Sequence, residues 1–218
     1  IYYAVGFGGI KRQADYCNVG VSNDRWQKLG CRLLPWRQSG KSIVLCGQPL
    51  RGQSSQEIDI YAWYGQVFRG IRTAKSPLPV VYRPHPRLWP RNKSEHRFKA
   101  DLALVRRAAG SVRMTPSVGR PLRDDLATAR VAVVYASNAA VECVIRGVPV
   151  VACSPLCAAW DVSSHSVAEI RTPATPARDA WAAALAYAQW NMTEMRSGEC
   201  WGRLRAHVER IRHEADTR

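Results

Sequence analysis

A chain of 218 residues with 46% apolar and 22% charged residues, eight Trp and eight Tyr carries enough apolar area for a packed core, which excludes disorder and collagen-like repeats. Its formal net charge is +15, and residues 69–123 hold 14 Lys+Arg against two acids, a local field that attracts polyanions. No run approaches the roughly 18 apolar residues that cross a bilayer, and the start lacks the basic-then-apolar pattern of a signal segment, so no membrane span and a cytoplasmic location are expected.

Residues 1–39 show no α/β repeat. Their Gly-rich start (Gly6, Gly8, Gly9) and Trp26 and Trp36 suggest a segment that packs on something else. Ile1 rather than Met opens the chain, which leaves room for a preceding part. Residues 42–46 (SIVLC), closed by Gly47, Gln48 and Pro49, have the continuous apolar character of a buried parallel strand. Residues 56–73 place Ile58, Tyr61, Val67 and Ile71 near helical spacing. Pro77 and Pro79 stop that helix and lead into a strand over 80–83, itself ended by Pro84 and Pro86.

A basic loop is expected over 88–100, a short helix over 102–108 and a short strand over 112–114. Residues 121–129 begin with Pro and put Asp124 and Asp125 in a first helical turn, where carboxylates favour the positive end of the helix dipole. Residues 131–135 (VAVVY) form the clearest buried strand, followed by a turn, a helix over 139–146, Gly147 as its stop and a strand over 149–153. Residues 176–214 have the pattern of one or two long helices. The alternation predicts an α/β fold, a Rossmann-like doubly wound parallel sheet. Three segments are expected: 1–39, 40–175 as the sheet domain, and 176–218 as a helical tail packing back on the fold.

Seven scattered Cys form no Cys-x-x-Cys pair, so reduced, mostly buried thiols and no metal site are expected. Cys153 and Cys157 come nearest to a ligand pair, and no His or second Cys pair lies at a suitable spacing.

In an open parallel sheet, ligands bind outside the carboxyl ends of the strands. Two predicted turns there carry polar groups. In the first, Arg83-Pro84-His85-Pro86-Arg87, a rigid Pro-His-Pro presents an imidazole between two Arg, a combination suited to a phosphate oxygen. In the second, Ser137 caps a helix whose first N–H groups, at 138–140, face an anion, and Glu142 lies one turn further on. The plainer readings are a His that closes a loop and an ordinary capped helix with a solvated Glu.

The order strand, His-Pro, acidic helix start, then Val-Val-Tyr-x-Ser-x-x-x-x-Glu-x-x-x-x-Gly-x-Pro-Val-Val resembles the nucleotide-sugar-binding half of GT-B glycosyltransferases, closest to the capsule-polysaccharide and polysialic-acid transferases. It spans about residues 40–170. The motifs Gly6-Phe7-Gly8-Gly9, Gly47-Gln48, Arg178-x-x-Trp181 and Glu194-Met195-x-x-Gly198 are similar to those of small phage-encoded, DNA-modifying glycosyltransferase-like proteins. The resemblance implies a GT-B-type fold with a small or truncated N-terminal lobe. It also implies a transferase that moves a sugar from a nucleotide sugar to a hydroxyl, a hydroxymethylated base in DNA being the expected acceptor.

By that match His85 and Ser137 contact the donor phosphate and Glu142 the donor's ribose or sugar hydroxyls; Arg83, Arg87 and Asn138, in the same two turns, are further expected donor contacts, and His85 also serves the chemistry. Asp15, with Asp24 behind it, is the candidate acceptor base. Arg91, Lys93, Arg97 and Lys99 are the expected DNA contacts. No Asp-x-Asp motif is present, so no metal and no cofactor beyond the nucleotide-sugar donor are expected. A surface-polysaccharide transferase shares the donor motifs. A non-catalytic nucleic-acid-binding protein would need only the basic stretch.

Overall fold

A computed structural model describes residues 2–49, 58–86 and 95–216. The chain divides into two compact units, one of Leu33–Pro176 and one formed by both ends, Ile1–Arg32 with Ala177–Arg218.

The Leu33–Pro176 unit is built on a five-stranded parallel sheet. Its strands are β2 (Ser42–Cys46), β3 (Val80–Arg83), β4 (Met114–Pro116), β5 (Ala129–Val134) and β6 (Val150–Ala152), in the spatial order β4-β3-β2-β5-β6. Counted from β2, that order is third, second, first, fourth, fifth. This is the order of a doubly wound Rossmann-like sheet, whose winding reverses between its first and fourth strands. Every residue of β2 and of β6 is buried, because helices cover both faces and leave no polar side to alternate with.

On one face Ile43, Leu45, Val80, Tyr82, Val131, Val133 and Val151 pack with the helices α2 (Ile60–Thr73) and α3 (Glu95–Ala109) in one core cluster. Asp59 starts α2 by accepting from the N–H groups of Tyr61 (2.9 Å) and Ala62 (3.1 Å). These side-chain bonds satisfy two donors that have no partner within the helix. Leu102, Val105 and Ala109 bury one stripe of α3, while Lys99, Arg106 and Arg107 stay exposed. This helix begins at Glu95, where the basic character of residues 88–100 predicted a loop; an apolar stripe that includes Phe98 outweighs the charge on the other side. Two shorter helices, α4 (Leu122–Leu126) and α5 (Ala139–Ile145), precede β5 and β6. The edge strand β4 lies two residues beyond its expected position and ends on Pro116, a residue tolerated at a sheet edge.

The unit of the two chain ends has its own small core, Cys17, Trp190, Cys200 and Leu204. Its helices are α1 (Asp24–Lys28), α6 (Asp179–Tyr187), α7 (Met192–Arg196) and α8 (Glu199–Asp216). A strand interrupts the tail where one or two long helices were expected: β7 (Gln189–Asn191) pairs antiparallel with β1 (Tyr2–Ala4). Arg25, 4% exposed, joins the ends by donating to both carboxylate oxygens of Glu194 at 2.8 Å and to the Ala186 and Gln189 carbonyls. Among the described residues no helix is long and apolar enough to cross a membrane.

Candidate functional site

The reversal of winding falls between β2 and β5, and it is beyond the carboxyl ends of two such strands that open parallel sheets ordinarily place a ligand crevice. Gly47 follows β2 there and donates its N–H to the Arg83 carbonyl at 2.7 Å. A Cβ on Gly47 would come within 3.0 Å of the His85 backbone nitrogen and 3.1 Å of the Tyr64 hydroxyl. The turn after β3 therefore sits directly against the turn after β2, and a side chain at position 47 would press His85 outward. His85 itself is half-buried.

Next along the chain, Gln48 is 2% exposed, and its side-chain nitrogen has no hydrogen-bond partner among the described residues. A buried donor without a partner costs about 1–3 kcal/mol, so it marks a place where a bound acceptor would be welcome. Its backbone N–H heads a buried chain of hydroxyls. Tyr82 and Tyr61 both donate to Asp101, at 3.2 and 2.9 Å. With the Tyr82 proton committed, Tyr64 must be the donor across the 3.3 Å contact to Tyr82 and the acceptor of the Gln48 N–H at 3.4 Å. Burial pushes the Tyr64 hydroxyl up to about 12, raises Tyr82 further and also raises Asp101. The hydroxyls thus keep their protons and hold α2, α3 and β3 in register beneath the crevice.

Arg83, expected at the donor phosphate, donates to Asp125 at 2.8 Å. Asp125 is buried and also accepts from Ser117. Asp125 does lie in the first turn of α4, as expected, and it is also the buried partner of Arg83. Part of the guanidinium is committed to that bond. Cys46, at the end of β2, is pushed up to about 12 by burial, and burial likewise raises Cys143. Both are inert thiols.

At the second turn the Ser137 Oγ accepts from the Ala139 N–H at 3.2 Å, and the Ser137 carbonyl accepts from Ala140 at 3.1 Å. Two of the three N–H groups expected to face an anion are therefore engaged within the turn. Asn138 is exposed. Glu142 accepts from Arg146 at 2.9 Å, an i,i+4 pair with both side chains about two-fifths exposed, of little energetic weight.

The remaining expected residues separate. Arg87, Arg91 and Lys93 lie outside the described residues. Arg97 and Lys99 belong to α3 rather than to a loop; Lys99 is exposed, and the side chain of Arg97 lies outside those described. Asp15 belongs to the unit of the two ends. It accepts from the Cys17 N–H at 2.8 Å and lies 3.0 Å from His207 Nε2. The backbone bond from Cys17, then His207, holds its carboxyl below the usual range, which weakens it as a base. Asp24 accepts from Ser22 and from the Tyr187 hydroxyl.

Comparisons with protein-family models, with curated proteins and with solved structures find no match.

Proposed function

We propose that this chain is a GT-B-type glycosyltransferase that moves a sugar from a nucleotide donor to a hydroxyl on DNA, with a hydroxymethylated base as the acceptor. The observation that carries this reading is the buried Gln48 side-chain nitrogen at the winding reversal, which has no partner among the described residues; a nucleotide would supply the missing acceptor. His85, against Gly47, meets the donor phosphate, helped by the part of the Arg83 guanidinium not bound to Asp125. Ser137 and Asn138 border the same crevice, and Glu142 serves ribose or sugar hydroxyls once it exchanges Arg146 for the ligand. Developing charge on the departing phosphate is met by these donors. Asp15 drops out of the role of base on its lowered pKa.

His85→Ala is expected to reduce transfer at least about 100-fold, ~2.7 kcal/mol of transition-state stabilisation, with an unchanged melting temperature. The measurement is mass spectrometry of nucleosides from hydroxymethyl-containing DNA after incubation with a panel of nucleotide sugars. Activity within about threefold of the parent, under 1 kcal/mol, removes His85 from the mechanism.

A second reading, a nucleic-acid-binding protein without catalysis, draws on two observations: Arg83 and Glu142 already have partners, and Lys99, Arg106, Arg107, Arg113, Arg120 and Arg123 are all exposed. Either DNA reading predicts that log affinity for duplex DNA falls with log salt by about 0.9 per phosphate contacted. Thermal stabilisation by UDP- or CMP-sugars separates the two, since only the transferase gains it. Donor stabilisation with a salt slope near zero favours a surface-polysaccharide acceptor instead.

A further inference from the structure

The unit of the two chain ends holds an open cleft of about 460 Å³, lined among others by Cys17, Ser22, Tyr187, Arg203, His207 and Arg210. At its edge a carboxylate oxygen of Asp15, the Cys17 sulfur and a ring nitrogen of His207 all lie within 4.8 Å of one another. Bonds of about 2.0–2.3 Å in a tetrahedral zinc site put neighbouring donor atoms roughly 3.3–3.8 Å apart, so a small contraction closes this set around one ion. We propose that Asp15, Cys17 and His207 bind a single divalent cation of the zinc class, with the fourth position open to the cleft.

The backbone holds the ligands in advance. Phe7 and Asp15 exchange both backbone hydrogen bonds, at 2.8 and 2.9 Å, and the Cys17 carbonyl accepts from Arg203 at 2.8 Å. Cys17 has a φ of +55°, the left-handed region that non-glycine residues enter at a cost. Glycine or asparagine would sit there more cheaply, and a buried side chain of similar size could fill the core, so neither packing nor conformation asks for a thiol. His207 stands one helical turn beyond Arg203 on α8, which is anchored by Cys200 and Leu204 in the core.

A carboxylate, a thiolate and an imidazole suit zinc-class ions better than magnesium or calcium, which prefer all-oxygen sites. Binding drives the Cys17 thiol proton to solvent, and Asp15 with the resulting thiolate then neutralises a dication, leaving the occupied site without net charge. A proton now stands where the ion would. Arg210 can only donate, so at 3.0 Å its guanidinium fixes His207 Nδ1 as an acceptor and leaves the ring proton on Nε2, facing Asp15 at 3.0 Å. Binding replaces that Nε2 proton by the metal, moves the ring proton to Nδ1 and releases Arg210, an exposed side chain, toward solvent. Arg210 therefore opposes the metal, and a group able to accept from Nδ1–H favours it.

The test is titration of the reduced full chain with Co²⁺, with Zn²⁺ competition against a chromophoric chelator, in a Cys31→Ser background that removes the exposed thiol. One Co²⁺ per chain is expected, with a thiolate-to-cobalt charge-transfer band and the intense visible bands of tetrahedral coordination. Cys17→Ser loses the charge-transfer band. Asp15→Asn, which preserves shape, weakens Zn²⁺ binding at least about tenfold, and Arg210→Gln, whose amide oxygen can accept from Nδ1–H, tightens it at least about threefold. Near-ultraviolet circular dichroism shows that each variant is folded. Absence of the band in the folded parent, its persistence in Cys17→Ser, or unchanged Zn²⁺ affinity in both Asp15→Asn and Arg210→Gln overturns the proposal.

Discussion

Replacing Arg25 by Met is expected to cost about 3–5 kcal/mol of unfolding free energy, the usual range when one partner of a buried ion pair is removed. Methionine fills much of the same space, so the loss arises from what remains behind. Glu194 keeps a buried charge without its partner, and the Ala186 and Gln189 carbonyls lose their donors. The guanidinium also stacks over the Trp190 ring at 4.0 Å from its centroid, a contact an ammonium at the end of a flexible stem does not reproduce. Arg25→Lys is therefore expected to recover only part of the loss. Denaturant unfolding followed by Trp fluorescence measures it.

The same pair sets a pH dependence. Arg25, foremost, and the Asn191 N–H hold the Glu194 carboxyl below its ordinary value of 4.5. As pH falls, the unfolded chain takes up this proton before the folded one does. The stabilisation is complete above the ordinary value and is lost as pH descends through the lowered folded value. Parent stability should accordingly decline below about pH 4.5, and Glu194→Gln should lack this part of the decline. An identical acid profile in Glu194→Gln and the parent would show that the pair does not govern it.

Gly147→Ala is expected to destabilise the sheet unit by about 3–4 kcal/mol, near the top of the range for single substitutions. Gly147 ends α5 with a φ of +71°, which by itself costs an L-residue roughly 1–2 kcal/mol. The larger cost is steric: a Cβ there would stand 2.0 Å from the Pro35 carbonyl oxygen. The chain before β2 runs across this turn, with the Leu34 N–H on the Ile145 carbonyl at 2.9 Å and the Arg37 N–H on the Gly147 carbonyl at 2.7 Å. Backbone cannot rotate away as a side chain tip can, so the crossing segment must move and give up these bonds. Gly198→Ala is the control: its φ is +87° and nothing lies within 4 Å of the added carbon, so it reports the conformational cost alone. Equal melting shifts for the two substitutions would remove the steric argument.

The parallel sheet was legible because most of its strands are short apolar runs bounded by turn residues, Gly47 after β2, Pro84 after β3 and Ser137-Asn138 after β5. Residues 42–46 and 80–83 match their strands outright, and 131–135 overlaps β5 at Ala129–Val134. Such a run reports burial on both faces, and alternation with helices then requires parallel crossovers. Gly147 was legible as a helix stop, but its closeness to Pro35 was not. The extent of α3 was obscured because its charged residues dominate the composition of the segment, while only a few apolar positions decide which side turns to the core.

The sequence by itself determined the layered α/β architecture, the order in which strands and helices alternate, and the concentration of positive charge in residues 69–123. These follow from periodicity, from turn residues and from composition, all of which are local properties. Only the tertiary structure decided which groups meet: β1 with β7, Arg25 with Glu194, Arg83 with Asp125, and Asp15 with His207, 192 residues further along. None of these pairings follows from the spacing of the residues involved. They form because folding the chain ends into one unit, and placing β3 beside β4, brings distant side chains together; for Arg25–Glu194 and Arg83–Asp125 it does so in a low-dielectric interior where a charge must find a partner or be excluded.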